Sequence, residues 1–247
     1  MPIAIKHACR VLTVSKFSKE AIVSQFQISA NQIDVIPCSI QSSWYLENDP
    51  VPPEQRDNFI LCVTGVAPSK NLRRALLAYM RVCDIMQEAA PCLKVVGVSQ
   101  YDKQSFNNID AVTETSGRVE FLQYLDIHEI QCLYRQARAA LVPSLHEGFG
   151  LPVLEAMASG TPVISSNRTS LPEVGGDAVA YFDAMNIEEM ASCIVSVLQD
   201  NSLQKEMSYH GLERAREHQR KTSELNRTFW PKIIGIGYPF DSGSHNL

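Results

Sequence analysis

No stretch of this chain approaches the roughly 20 consecutive apolar residues that a membrane-spanning helix needs. The first residues, Met1-Pro-Ile-Ala-Ile-Lys-His7, also lack the long apolar core of a secretory signal. Positive charge is in the minority: 22 Lys and Arg against 27 Asp and Glu leave a net charge of −5, which argues against a nucleic-acid partner. Seven cysteines stand at 9, 38, 62, 83, 92, 132 and 193, odd in number and without a C-x-x-C pair. That pattern fits a reducing compartment. The six histidines show neither H-x3-H nor H-E-x-x-H spacing, so no metal is expected. No G-x-G-x-x-G follows a strand, and Gly65-Val-Ala-Pro-Ser-Lys70 lacks the second glycine of a triphosphate loop; a nicotinamide cofactor and a P-loop are both disfavoured. The expectation is a cytoplasmic protein, at most peripheral at the inner face of a membrane.

What is present is a large apolar complement: 247 residues of which 45% are hydrophobic can bury a sizeable core. Apolar runs of strand length at about 59–64, 93–97, 118–122, 138–142, 162–165 and 178–182 alternate with longer amphipathic stretches. Such alternation predicts an α/β fold, a Rossmann-like parallel sheet with helices on both faces. Asn71 to Gln87 is the clearest helix, with Leu72, Leu76, Tyr79, Met80 and Cys83 at spacings of three and four. Further helices are expected over 187–199 and 203–217, and a third from about 222.

The most informative segment is His146-Glu-Gly-Phe-Gly-Leu-Pro-Val-Leu-Glu-Ala156. Ala139-Ala-Leu-Val-Pro143 before it reads as a strand, and Gly148 and Gly150 permit backbone angles that other residues resist. A helix is expected to begin at Pro152, since proline suits a first helical position, and to stop at Gly160-Thr-Pro162. Strand, glycine turn and helix N-terminus together offer unpaired N–H groups and the positive end of a helix dipole, a site for a diphosphate. The carboxylates of Glu147 and Glu155 then need a different object, such as sugar hydroxyls. Hydrogen bonds to a charged group are worth roughly 1.5–3 kcal/mol each. A lone E-G-x-G would more often be a turn flanked by solvated acids; its surroundings decide the matter here.

Those surroundings, Glu147 to Glu155 followed by Ala-Met-Ala-Ser-Gly-Thr-Pro-Val-Ile-Ser and then Ser170-Leu-Pro-Glu-Val-Gly175, closely resemble the E-x7-E signature of retaining glycosyltransferases with the GT-B fold (glycosyl transferases group 1). Phe59 to Gly65 followed by Pro68-Ser-Lys70-Asn71 is similar to the strand and loop that open the donor domain of that family. Leu93 to Gly97, Gly117 to Tyr124 and Leu133 to Ala137 match its next strands and a helix. The resemblance implies a nucleoside-diphosphate sugar as donor, transferred with retention, in glycan or polysaccharide biosynthesis of mannosyltransferase-like kind. It implies that Glu147 contacts the transferred sugar, that Lys70 offsets leaving-group charge, and that Gly148, Phe149, Gly150 and Leu151 offer N–H groups to sugar and diphosphate. Glu155 would hold the ribose, and Leu125 at the corner Tyr124-Leu125-Asp126 would meet the base through its main chain.

In that family Arg10 to Pro37, which reads as strand, helix, strand, closes the N-terminal acceptor domain. The expected organisation is therefore a remnant of that domain over 1–45, a polar, proline-rich linker over 46–58, the donor-binding domain over 59–218, and a crossing helix with a loose tail over 219–247. The chain looks like half an enzyme, with the acceptor unknown and a separate N-terminal subunit a conceivable partner. Two departures from the family pattern stand out. Gly65 and Val66 occupy the place of a common phosphate-facing arginine, and Pro37-Cys-Ser-Ile-Gln41 replaces Pro-Asn-Gly-Val-Asp. A non-catalytic nucleotide-sugar-binding module or inactive partner subunit, and a sugar-nucleotide epimerase of the same fold, stay open as alternatives.

Overall fold

The computed structural model describes residues 2–99 and 118–234. Gly117 and the tail from Gly235 lie outside the described residues. After a short helix α1 (Pro2–His7), strand β1 (Val11–Thr13), helix α2 (Lys16–Phe26) and strand β2 (Ile33–Val35) form a small parallel pair with its crossover helix. The main sheet follows: β3 (Asp57–Val63), α3 (Leu72–Met86), β4 (Cys92–Val96), β5 (Val119–Leu122), α4 (Ile127–Gln136), β6 (Ala137–Val142), α5 (Leu151–Ala158), β7 (Val163–Ser166), α6 (Leu171–Gly175), β8 (Val179–Phe182), α7 (Ile187–Gln199) and α8 (Asn201–Ile234).

All six strands of the main sheet are parallel, in the order β5-β4-β3-β6-β7-β8. The chain thus builds outward from β3 in one direction, then returns to β6 on its other side and builds the opposite way. The junction of β3 and β6 is the point where connections diverge, and sheets of this kind bind ligands beyond the carboxyl ends of the strands there.

Central strands buried on both faces carry continuous apolar runs rather than alternating ones. In β3, Ile60 and Cys62 enter the core shared with α3 and α7, while Phe59 and Leu61 enter the core shared with α4 and α5. Helix α3 buries Leu72, Ala75, Leu76, Ala78, Tyr79 and Val82, one stripe at spacings of three and four. Met80 and Cys83, also expected on that stripe, are half-buried at its margin.

One expectation about elements is corrected. Residues 203–217 and those from 222 do not form separate helices but run through one helix, α8. Residues 212–230 contain neither glycine nor proline, and the expected gap is bridged within the helix by Glu217–Lys221 at 2.7 Å and by Thr222 Oγ1 against His218 Nε2 at 3.3 Å. The segment before β3 is anchored despite its polar composition. The Leu46 N–H donates to the Ala158 carbonyl at 3.2 Å, and a 3-10 turn over Pro53–Gln55 leads directly into Asp57. Arg56, only 8% exposed, donates to the carbonyls of Ala137 at 2.9 Å and Gly160 at 2.7 Å. Burial pushes its pKa down to about 10.

Candidate functional site

The loops after β3 and β6 are stitched together at the sheet edge. The Leu145 N–H donates to the Ser69 carbonyl at 2.7 Å. Asn71, in the left-handed region at φ 57 and 4% exposed, extends its side-chain amide to the carbonyls of Pro143 at 3.0 Å and Ala184 at 2.8 Å. Lys70, the residue before it, closes a 3-10 turn over Pro68–Lys70 and thereby faces the second loop. Its ammonium lies 2.7 Å from Glu147 Oε1.

Glu147 is held from every side. Ser144 Oγ donates to the same Oε1 at 2.7 Å, the Glu147 N–H donates to Thr169 Oγ1 at 3.1 Å, and Ser170 Oγ donates to the Glu147 carbonyl at 3.0 Å. Ser144 is itself fixed, its carbonyl accepting from Ser166 Oγ at 2.6 Å. Thr169 sits at φ 55, an uncommon and costly angle for a β-branched residue that persists only where surrounding contacts enforce it. The carboxylate is thereby held in a defined position by groups of the protein itself.

The turn that follows differs in detail from expectation. Gly150 does use the left-handed region, at φ 115, and a Cβ there would meet Leu171 Cδ2 at 3.0 Å. Gly148 does not: its φ is not positive, and a Cβ would make only ordinary contact, 3.8 Å from Val14. The helix begins at Leu151 rather than Pro152, because Gly150 serves as its N-cap residue and Pro152 falls within the first turn, where its missing N–H is equally harmless. Among the described residues, no protein acceptor takes the N–H groups of Gly148, Phe149, Gly150 or Leu151. These are the orphan donors of a helix start, backed by its dipole.

Glu155 lies one turn into α5 and, among the described residues, is paired with no cation. Burial pushes its carboxyl up to about 7, a shift that a hydrogen bond from the Tyr134 hydroxyl opposes. Tyr134 is fully buried and edge-on to Trp44, ring centroids 5.6 Å apart. Leu125 stands past the end of β5, half-buried against the cluster that includes Phe59, Leu61 and Tyr134. Asp126 after it caps α4 with a reciprocal Asp126–Glu129 box.

The structure thus brings together Lys70, Glu147 and the N–H groups of Gly148 to Leu151, with Glu155 behind them on the same helix. It adds Ser144, Thr169, Ser170 and Asn71, to which the sequence reading assigned no role. Single hydroxyl contacts leave no spacing signature; the available signals were that Ser170 opens the Ser170–Gly175 segment, with Thr169 just before it, and that Asn71 ends Pro68-Ser-Lys70-Asn71. Among the described residues no group of three histidine, cysteine or acidic side chains is placed to hold a metal ion, and no helix is long and apolar enough to cross a membrane.

The family described as glycosyl transferases group 1 matches residues 47–214. The O-antigen chain mannosyltransferase B of Escherichia coli is 31% identical over 215 residues, covering 84% of this chain and 56% of that protein. The O-antigen chain mannosyltransferase RfbU of Salmonella typhimurium is 28% identical over 199 residues, covering 81% of this chain and 54% of that protein. The chain spans about half the length of these two relatives. Among solved structures, Anabaena Alr3699/HepE in complex with UDP and glucose superposes with a TM-score of 0.78 at 16% identity, over 95% of this chain and 65% of that one; that likeness concerns the fold.

Proposed function

This chain belongs to the glycosyl transferases group 1 family, and from that premise we propose that it is the donor-holding portion of a retaining glycosyltransferase of the E-x7-E type. The substrate is a nucleoside-diphosphate hexose, with mannose the sugar favoured by the names of its relatives, and the product belongs to a surface glycan or polysaccharide. Residues 59–218 act as the donor-binding domain, residues 1–45 as the end of an acceptor domain.

The observation that carries this reading is the convergence of a cation, a fixed carboxylate and four uncommitted N–H groups at the switch point of the sheet. The diphosphate binds at the start of α5, where the N–H groups and the helix dipole favour negative charge. Lys70 has three donors, so it retains Glu147 while turning another N–H to a phosphate oxygen. Glu147 accepts sugar hydroxyls, and Glu155 accepts those of the ribose. As the glycosidic bond breaks, negative charge grows on the departing diphosphate, and these fixed dipoles and the ammonium are already aimed at it. Preorganised donors of this kind typically supply the largest part of catalysis. The place of the absent arginine, Gly65 and Val66, leaves Lys70 as the cation of the first loop.

Calorimetric titration with guanosine diphosphate mannose, and with uridine and adenosine diphosphate glucose for comparison, tests the reading. One of the three is expected to bind the wild type and to lose affinity in Glu155→Ala. Absence of heat with all three removes the donor site.

A further inference from the structure

The small N-terminal unit reaches the donor loop through two hydroxyls. Ser15, fully buried, donates from Oγ to the Gly148 carbonyl oxygen at 2.7 Å, and Ser18 Oγ donates to the same oxygen at 3.1 Å. A carbonyl has two lone pairs, so both bonds can be made at once. Neither serine is free to wander. Ser15 is the N-cap of α2, its Oγ accepting from the Ser18 N–H at 3.0 Å. The start of α2 is in turn fastened to the main domain by Glu173, whose carboxylate accepts the Lys16 N–H at 3.0 Å and the Phe17 N–H at 3.3 Å.

The Gly148 carbonyl shares a planar trans peptide with the Phe149 N–H, and in such a unit the two groups point in opposite directions. Holding the carbonyl toward Ser15 and Ser18 therefore fixes the direction of that N–H, away from the N-terminal unit. Phe149 is 7% exposed, and its N–H meets no acceptor among the described residues. An N–H that the protein leaves without an acceptor is available to a ligand oxygen. Gly148 itself sits at an ordinary φ with room for a side chain, so nothing in its own backbone locks the orientation of this peptide.

We infer that Ser15 and Ser18 are positioning residues of the donor site: they hold the Gly148 peptide so that the Phe149 N–H faces the donor's diphosphate. The inference rests on the donor-site reading above and adds to it that the N-terminal unit sets the affinity of a site on the main domain. Docking of α2 and binding of donor then reinforce one another, since each favours the same orientation of one peptide.

The test combines calorimetry against guanosine diphosphate mannose and the two other donors with the amide resonance of Phe149 in a nitrogen-15 correlation spectrum. Ser15→Ala/Ser18→Ala should bind donor about tenfold more weakly, the equivalent of about 1.4 kcal/mol, and should shift the Phe149 resonance in the absence of ligand. Ser15→Thr/Ser18→Thr, which keeps both hydroxyls, should restore both readouts. Because Ser15→Ala also removes a helix cap, Ser18→Ala alone serves where the double variant does not fold, with the same resonance shift and a smaller loss of affinity. Donor binding by the wild type that the alanine variants match within twofold overturns the inference and leaves the donor site standing. No binding by the wild type removes the donor site and this inference with it.

Discussion

Glu147 and Glu155 are the same residue type, eight positions apart around one helix start, yet they occupy opposite electrostatic regions. Glu147 has a cation 2.7 Å away, a serine hydroxyl at 2.7 Å and a main chain bonded at both its N–H and its carbonyl. Glu155 has burial and a single tyrosine, and its carboxyl is pushed up to about 7. The first region stores a charge already balanced by the protein. The second holds a group that ionises near neutrality with no cation among the described residues to meet the charge. A carboxylate that the fold leaves short of hydrogen-bond donors suits a ligand bringing hydroxyls, whereas one already satisfied suits the reacting end, where position matters most.

The largest expected effect breaks the comparison at Glu155. Its folded pKa of about 7 lies above the ordinary 4.5, so the sign runs against stability at high pH. Below 4.5 folded and unfolded chains are both protonated and nothing is lost. Between 4.5 and 7 the unfolded chain ionises first and stability falls, and above 7 the full penalty is present, on the order of 3 kcal/mol. Glu155→Gln keeps the shape and an acceptor for the Tyr134 hydroxyl. The variant should gain about that amount in urea denaturation at pH 8, with the gain shrinking below about 1 kcal/mol at pH 5, while its donor affinity falls. A variant no more stable than wild type at pH 8 would show that burial does not govern this carboxyl.

A smaller effect is expected from turning Glu147 into a second Glu155. Lys70→Ala leaves the Glu147 carboxylate, 13% exposed, with Ser144 alone. Nucleoside diphosphate binding should weaken by roughly 2 kcal/mol, the worth of a charge-assisted contact. Calorimetry with the three donors checks this. Unchanged affinity would mean that the helix start holds the diphosphate without the lysine.

How much of this was legible in the chain follows from the kind of interaction involved. The sheet and its helices were, because burial on two faces writes long apolar runs such as Phe59 to Val63, and amphipathic packing writes the three-and-four spacing of Leu72 to Val82. The segment from Glu147 to Glu155 was legible because a turn, a helix start and two acids must be contiguous. The unlike surroundings of those two acids were not. Lys70 meets Glu147 from 77 residues away, and Tyr134 reaches Glu155 from the end of another helix. The unbroken α8 was misread because its polar residues from 217 to 222 suggest a loop, although they pair along the helix. Ser15, Ser18, Ser144 and Thr169 carry no pattern of their own, since a hydroxyl that meets one carbonyl or N–H needs no neighbour of fixed type.

The smallest effect sharpens the comparison from within the Glu147 region. Ser144 donates to the oxygen that Lys70 also contacts, and it is held there by Ser166 through its carbonyl. Removing its hydroxyl leaves the ion pair in place but lets the carboxylate rotate between positions that Lys70 alone can serve. Ser144→Ala should therefore cost about 1 kcal/mol or somewhat more in folding stability, a hydrogen bond to a charged acceptor partly replaced by the lysine. Donor affinity should fall by a few-fold, less than in Lys70→Ala, because the charge beside Glu147 is retained. Chemical denaturation and calorimetry check the two effects. If Ser144→Ala instead cost as much donor affinity as Lys70→Ala, the hydroxyl rather than the ammonium would be what holds Glu147 in place. The contrast with Glu155 would then lie in hydrogen bonding and not in charge.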